Sequence, residues 1–181
     1  MSTLGKFKEN KILTDRGTWL EIDVSTKTHP NAIMKVDKCD WKKFRENYAG
    51  RASAFTAGRG RGLYATCRVG KRIRYVHRLI CETVMSDVDH INHNGLDNRG
   101  KNLRGCTHSE NRANSILYNA NTSGVTGVCW HKPAGKWRAV IGKQGKQIHL
   151  GLFADINDAI AARKVAEQIH FGGFAYAGVM A

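Results

Sequence analysis

The 181-residue chain has no apolar run near the roughly 18 residues that a membrane span requires. Its beginning, M-S-T-L-G-K-F-K-E-N, lacks the apolar stretch of a secretory signal. A soluble, cytoplasmic protein is therefore expected, neither secreted nor bound to membrane. The five cysteines are Cys39, Cys67, Cys81, Cys106 and Cys129, and no two lie within four residues of each other. That spacing excludes a C-x-x-C knuckle, so no structural zinc is expected and the thiols read as reduced. Cys81, in an apolar run, reads as a core residue. Acid is also scarce. The chain sets 15 Asp and Glu against 29 Lys and Arg, for a net charge of +14. That excess favours a polyanionic partner, most simply nucleic acid.

The charge is uneven. Residues 1–75 carry 17 basic against 7 acidic side chains, residues 76–118 carry 5 against 5, and residues 119–181 carry 7 against 3. The neutral middle segment holds V-D-H-I-N-H-N-G-L-D-N-R-G-K-N-L-R-G-C-T-H-S-E-N, from Val88 to Asn111. Polar residues this dense do not form a core. A patch that only gripped phosphate would be basic, whereas one that held a cation against phosphate needs acids.

In the first segment, 18–24 alternates as a strand, and Asp37 or Asp40 can start a short helix that carries Trp41 and Phe44 inward. Residues 63–69 and 72–76 read as two strands joined by a turn at Gly70-Lys71. Arg59, Arg61, Arg68, Lys71, Arg72 and Arg74, with no acid among them, make this a basic ribbon suited to phosphate contact. Residues 76–86 have helical spacing and predict one amphipathic helix.

The middle segment then reads as strand (88–91), loop (92–101), strand (103–106) and helix. The helix begins at Thr107, where Thr107-x-x-Glu110 is a capping-box pattern. A hard divalent cation wants oxygen ligands such as the Asp89 carboxylate and the Asn111 amide. His90, the neighbour of Asp89 on a strand, faces the other way and is free to act as a base. Asn102 can bridge the loop. The plain alternative is an Asn-rich turn with no chemistry. His77, His93 and His108 are further histidines that could join the site.

The order of motifs resembles the His-Asn-His (HNH) nucleases of the ββα-metal fold, in particular the phage and intron-encoded homing endonucleases. The chain has H-R-L-I at 77–80, V-D-H-I-N at 88–92, D-N-R at 97–99, N-L-R at 102–104 and T-H-S-E-N at 107–111. The resemblance implies that Asp89 and Asn111 bind one Mg²⁺ or Mn²⁺ ion. It implies that His90 is the general base that activates water and that Asn102 is catalytic through holding the loop. Arg99 and Arg104 are implied as phosphate contacts.

In the last segment, residues 125–130, 136–141 and 147–152 read as strands, and Asp155 as the N-cap of a helix. Ala159, Ala162, Val165, Ala166 and Ile169 are expected on its inner face. G-V-C-W at 127–130, G-K-W-R-A-V-I at 135–141 and L-G-L-F at 150–153 resemble the plant ethylene-response-factor (Apetala-type) DNA-binding domain. That family lays a three-stranded sheet in the major groove. The resemblance implies Trp130, His131, Lys132, Trp137, Arg138, Lys143 and His149 as DNA contacts. Alternation places Trp137, Ala139 and Ile141 on one face, with Arg138 and Val140 on the other, so one of the two tryptophans is expected in the core.

An α+β, multi-module protein is thus expected. It has a basic β-rich region (1–75), a ββα-metal unit (76–118), a linker (119–123) and a C-terminal three-stranded antiparallel sheet packed on one helix (124–181). The expected function is a metal-dependent, site-specific DNA endonuclease of the homing type. It would act as a monomer on double-stranded DNA and nick one strand. The alternatives are a DNA-binding regulator with an inactive nuclease unit, or a non-specific phage nuclease.

Overall fold

A computed structural model describes residues 9–57, 62–114 and 123–175. The chain divides into two compact units, residues 1–105 and 106–181. Arg59, Arg61 and most of the expected linker, 119–122, lie outside the described residues.

The first unit opens with strands β1 (Ile12–Asp15), β2 (Trp19–Asp23) and β3 (Ile33–Asp37). Burial alternates along β2 and β3, and the antiparallel register pairs Leu20 with Val36 and Ile22 with Met34 on the buried face. Helix α1 (Lys38–Asn47) follows, with Asp37 at its N-cap position and an acid, Asp40, in its first turn. Trp41 and Phe44, three residues apart, share one face and stack at 5.2 Å in the core. Strands β4 (Ala52–Thr56), β5 (Leu63–Val69) and β6 (Arg72–Tyr75) form an antiparallel sheet. Ala52, Ala54, Ala65 and Cys67 from this sheet join Leu20, Ile22, Met34, Val36, Trp41 and Phe44 in one core.

Helix α2 spans only Val76–Ile80. The expected helix to residue 86 stops early because Cys81 is extended and Thr83 turns its hydroxyl onto the Met85 amide, at 3.1 Å. Cys81 is half-buried at this end instead of sitting in the core. Strand β7 (Asp87–His90), the short β8 (Asp97–Asn98) and β9 (Leu103–Cys106) complete the unit. β7 pairs with β9. β8 instead adds in parallel to β3, with Lys35 opposite Asp97 and Val36 opposite Asn98. The polar loop is thus the fourth strand of the N-terminal sheet. For that reason the compact units do not follow the boundary expected at residue 76.

The second unit holds α3 (His108–Ala113), β10 (Val128–His131), β11 (Lys136–Lys143), β12 (Lys146–Phe153) and α4 (Ile156–Phe171). Its strands form an antiparallel sheet in the order β10-β11-β12. Asp155 caps α4, accepting from the Asn157 amide at 2.6 Å. Ala159 and Ala166 are buried against the sheet, and Ala113 of α3 packs with Ile141, Ala166 and Phe171. The inner face of α4 differs from the expected one. Val165 is 60% exposed and Ile169 72%, whereas Arg163 is 5% exposed. The Arg163 guanidinium donates to the Val140 carbonyl (2.6 Å) and to Glu167 (2.9 Å), which permits its burial. Among the described residues, no helix is long and apolar enough to cross a membrane.

Candidate active site

The first unit buries a run of polar side chains. Asp89, His90, Asp97, Asn98 and Asn102 are each 6% exposed or less. Buried polar groups need partners, and the partners here explain the loop. Asn102 accepts from the Asn92 amide at 3.0 Å and donates to the Asp97 carbonyl at 2.7 Å. Its own carbonyl accepts from the Ile91 amide at 2.9 Å. Asn92 and Asn94 each cap a turn two residues ahead, at 2.9 and 3.0 Å. Asp97 takes the fork of Arg99, at 2.7 and 2.6 Å, which holds its carboxyl below the usual range against the opposing effect of burial.

His90 ends β7 with its Nε2 2.9 Å from Oδ1 of the fully buried Asn98. A carbonyl oxygen only accepts, so Nε2 carries the proton and Nδ1 is the basic nitrogen. Burial lowers the His90 pKa, opposed by Asn98, Asp89 and Asp97. The imidazole is therefore kept unprotonated near neutrality, as a general base requires.

An aromatic box surrounds this ring. The ring of His77 on α2 stands edge-on to His90 at 4.8 Å, and that of Tyr64 on β5 at 5.7 Å. Tyr75 stacks on His77 at 5.3 Å. His77 is 5% exposed, and its Nδ1 has no hydrogen-bond partner. Burial, then His90 and Arg78, push its pKa down to about 3. Burial, then Tyr75 and Asp89, raise that of Tyr64. Gly95 is needed here, because a methyl on it would run into the Tyr64 ring and come within 2.6 Å of the Leu63 carbonyl. Tyr64, Tyr75 and Asn98 carried no sequence signal as site residues beyond the place of Asn98 in D-N-R.

Asp89 precedes His90 on β7 and is paired with Arg104, whose Nε and Nη2 lie 2.9 and 2.8 Å from Oδ2. Arg104 and Arg99 were both expected to contact phosphate. Arg99 instead binds Asp97 and lies over the Trp19 ring at 4.7 Å, a structural arrangement with little of its side chain exposed. His93 follows in a left-handed conformation, φ 61°. Asn111 belongs to the second unit. It follows the Thr107 capping box, in which Glu110 and Thr107 exchange bonds of 3.3 and 2.8 Å, and it is half-buried. His108 opens that helix and is exposed.

Among the described residues, no group of three or more His, Cys, Asp or Glu side chains could hold a metal ion. The expected ligands, Asp89 of the first unit and Asn111 of the second, offer a carboxylate and an amide oxygen, and each of these donor types suits a hard cation such as Mg²⁺ or Mn²⁺ better than zinc. Asp89 is buried, and its charge is balanced by the Arg104 guanidinium.

In the second unit the β10–β11 register pairs Trp130 with Trp137 and Val128 with Ala139. Paired residues share a face. Trp137 thus joins Val128 and Ala139 on the helix side and packs against their core. Trp130 touches it at 5.3 Å and stays 48% exposed. Lys143 also turns to the helix side, 3.5 Å from His170. Cys129, His131 and Arg138 lie on the outer face, where Arg138 Nε and His131 Nδ1 have no hydrogen-bond partner. A register shift between Ala139 and Val140 brings His149 opposite Val140, on the same outer face. Lys132, in the turn after β10, is exposed.

Residues 74–113 match the family model of the HNH endonucleases, which places an HNH endonuclease domain there. Protein 3.8 of Escherichia phage T7 is 38% identical over 60 residues, covering 33% of this chain and 50% of that protein. The chain thus spans about half the length of this curated relative. No solved structure matches it.

Proposed function

We propose that the chain is a divalent-metal-dependent DNA endonuclease of the homing type that nicks one strand of a double-stranded site. The observation that carries this reading is the buried His90–Asn98 pair inside the HNH-matching segment. In this reading His90 Nδ1 takes a proton from water. The hydroxide attacks phosphorus, the P–O3′ bond breaks, and the products are a 5′ phosphate and a 3′ hydroxyl protonated from solvent. Asn98 holds the imidazole in the required tautomer, and Asn102 fixes the loop that carries Asn98. Asp89 would hold the metal, with Asn111 as the second ligand that the sequence resemblance implies. When bound, it supplies charge neutralisation at the scissile phosphate and stabilisation of the leaving oxygen. Arg104, beside Asp89, adds positive charge at the same phosphate. One base serves one strand, so a monomer nicks.

Arg68 of the β5–β6 hairpin holds the DNA backbone, and the outer face of the C-terminal sheet, with His131, Arg138 and His149, selects the site. Support for site selection comes from the sequence resemblance and from these side chains sharing one surface. Supercoiled plasmid incubated with Mg²⁺ or Mn²⁺ tests the reading. The parent should yield relaxed circles, and His90→Ala should nick about 10²- to 10⁴-fold more slowly. The absence of relaxed circles, or equal nicking by His90→Ala, refutes it.

A further inference from the structure

The register of the β4–β5–β6 sheet sorts its side chains into two faces. Phe55 pairs with Tyr64, Ser53 with Thr66, Thr66 with Tyr75, and Arg68 with Ile73. These residues share the face that carries Tyr64 and Tyr75 against His77 and His90. Arg74 pairs with Cys67 and Arg72 with Val69, so both arginines lie on the opposite face. The hairpin is therefore not uniformly basic toward the site. Arg68 alone of its strand cations shares the surface of the catalytic box.

That surface ends in a groove. A cavity of about 580 Å³ lies between the 48–51 loop and the sheet, lined among others by Arg51, Ser53, Thr66, Arg68 and Ile73, with no carboxylate in its lining. Its wall is preset. Gly50 sits so close to β5 that a methyl there would fall 2.6 Å from the Arg68 carbonyl and 2.7 Å from the Cys67 sulfur. Arg51 Nε is buried without an acceptor, and its Nη2 makes only a long bond, 3.3 Å, to the Ser25 carbonyl. Ile73 is 61% exposed at the rim. Four residues of strand separate Tyr64 from Arg68, about 14 Å. On one DNA strand that span corresponds to roughly four nucleotides of axial rise.

Resting on the nuclease reading, we propose that this groove is a phosphate-binding subsite for the DNA backbone, several nucleotides from the cut, with Arg51 and Arg68 as its cations. Charge complementarity and continuity with the His90 box both point to the substrate strand as its occupant. Arg72 and Arg74 face away and take no part.

The test is binding of the full chain to a fluorescein-labelled duplex in EDTA, so that nothing is cut, followed by anisotropy across a salt series. Arg68→Ala should lower affinity several-fold and reduce the slope of log affinity against log salt by about 0.9. Arg51→Ala/Arg68→Ala together should reduce it by nearly twice that amount. Arg68→Lys should keep the slope, and Arg72→Ala and Arg74→Ala should leave it unchanged. The proposal is overturned if Arg68→Ala leaves the slope intact, if Arg72→Ala or Arg74→Ala lowers it equally, or if the parent binds without salt dependence. Plasmid nicking is read separately. A parent that binds with the predicted slopes but never nicks refutes the nuclease reading and leaves the phosphate subsite standing.

Discussion

In the first unit, Asp89, His90, Asp97, Asn98 and Asn102 are buried, and each is held by a side chain or backbone group of the same unit. In the second unit, the polar face of the sheet is turned outward. His149 there is exposed, and Arg138 and His131 are half-buried with ring or guanidinium nitrogens that lack partners. The difference fits the two roles proposed for these surfaces. A base acts only if its tautomer and position are set in advance, which takes a dense, dry hydrogen-bond network.

The sharpest way to break this contrast is acid. His77 is kept neutral in the native state with a pKa of about 3, against an ordinary value of 6.5. The unfolded chain therefore takes up a proton that the native chain refuses. Its contribution is intact above pH 6.5 and is lost as pH falls toward 3, by up to about 5 kcal/mol. His77→Phe removes this group, so its urea midpoint should fall less between pH 7 and pH 4 than that of the parent. An equal fall would place the acid sensitivity elsewhere.

Next in size are single deletions inside each unit. Asn102→Ala strands the Asn92 amide and the Asp97 carbonyl, at a cost of about 2–4 kcal/mol in denaturant unfolding. Arg163→Met strands the Val140 carbonyl and Glu167 in the second unit, with a cost of similar size. The contrast between the units concerns their surfaces. If Arg163→Met is silent, the second unit is not packed around this residue.

A smaller effect is expected on the outer sheet face. Arg138→Ala should weaken duplex binding several-fold in anisotropy titrations while melting within about 0.5 kcal/mol of the parent. A large loss of stability with unchanged binding would show that this face is structural after all. The smallest effect is expected at Ile169→Lys, where a 72% exposed side chain should change stability by no more than about 0.5 kcal/mol. A loss of several kcal/mol would restore the inner face first expected for α4.

Local patterns were legible wherever neighbours in sequence decide the outcome. The Thr107–Glu110 box, the Asp155 cap, the turn between β5 and β6, and the inward Trp41 and Phe44 all follow from interactions within a few residues. The faces of α4 were not legible. An alanine-rich helix carries too weak a contrast to choose between two stripes, and a buried arginine is explained only by the Val140 carbonyl that meets it. Helix α2 is shorter than the 76–86 pattern predicts, because the apolar period continues after Cys81 has left the helix and Thr83 has turned the chain.

For the candidate site, the sequence by itself determined the residue types, their order and their spacing. That was enough to nominate Asp89, His90, Asn102 and Asn111, because a strand–loop–strand–helix unit writes its polar residues in a short window. Only the tertiary structure decided what surrounds His90. Tyr64 and Tyr75 come from a hairpin some fifteen or more residues away, and Asn98 reaches the imidazole because β8 is drawn onto β3. The reason is physical. A base is positioned by packing and by buried hydrogen bonds, and those depend on which distant strands meet.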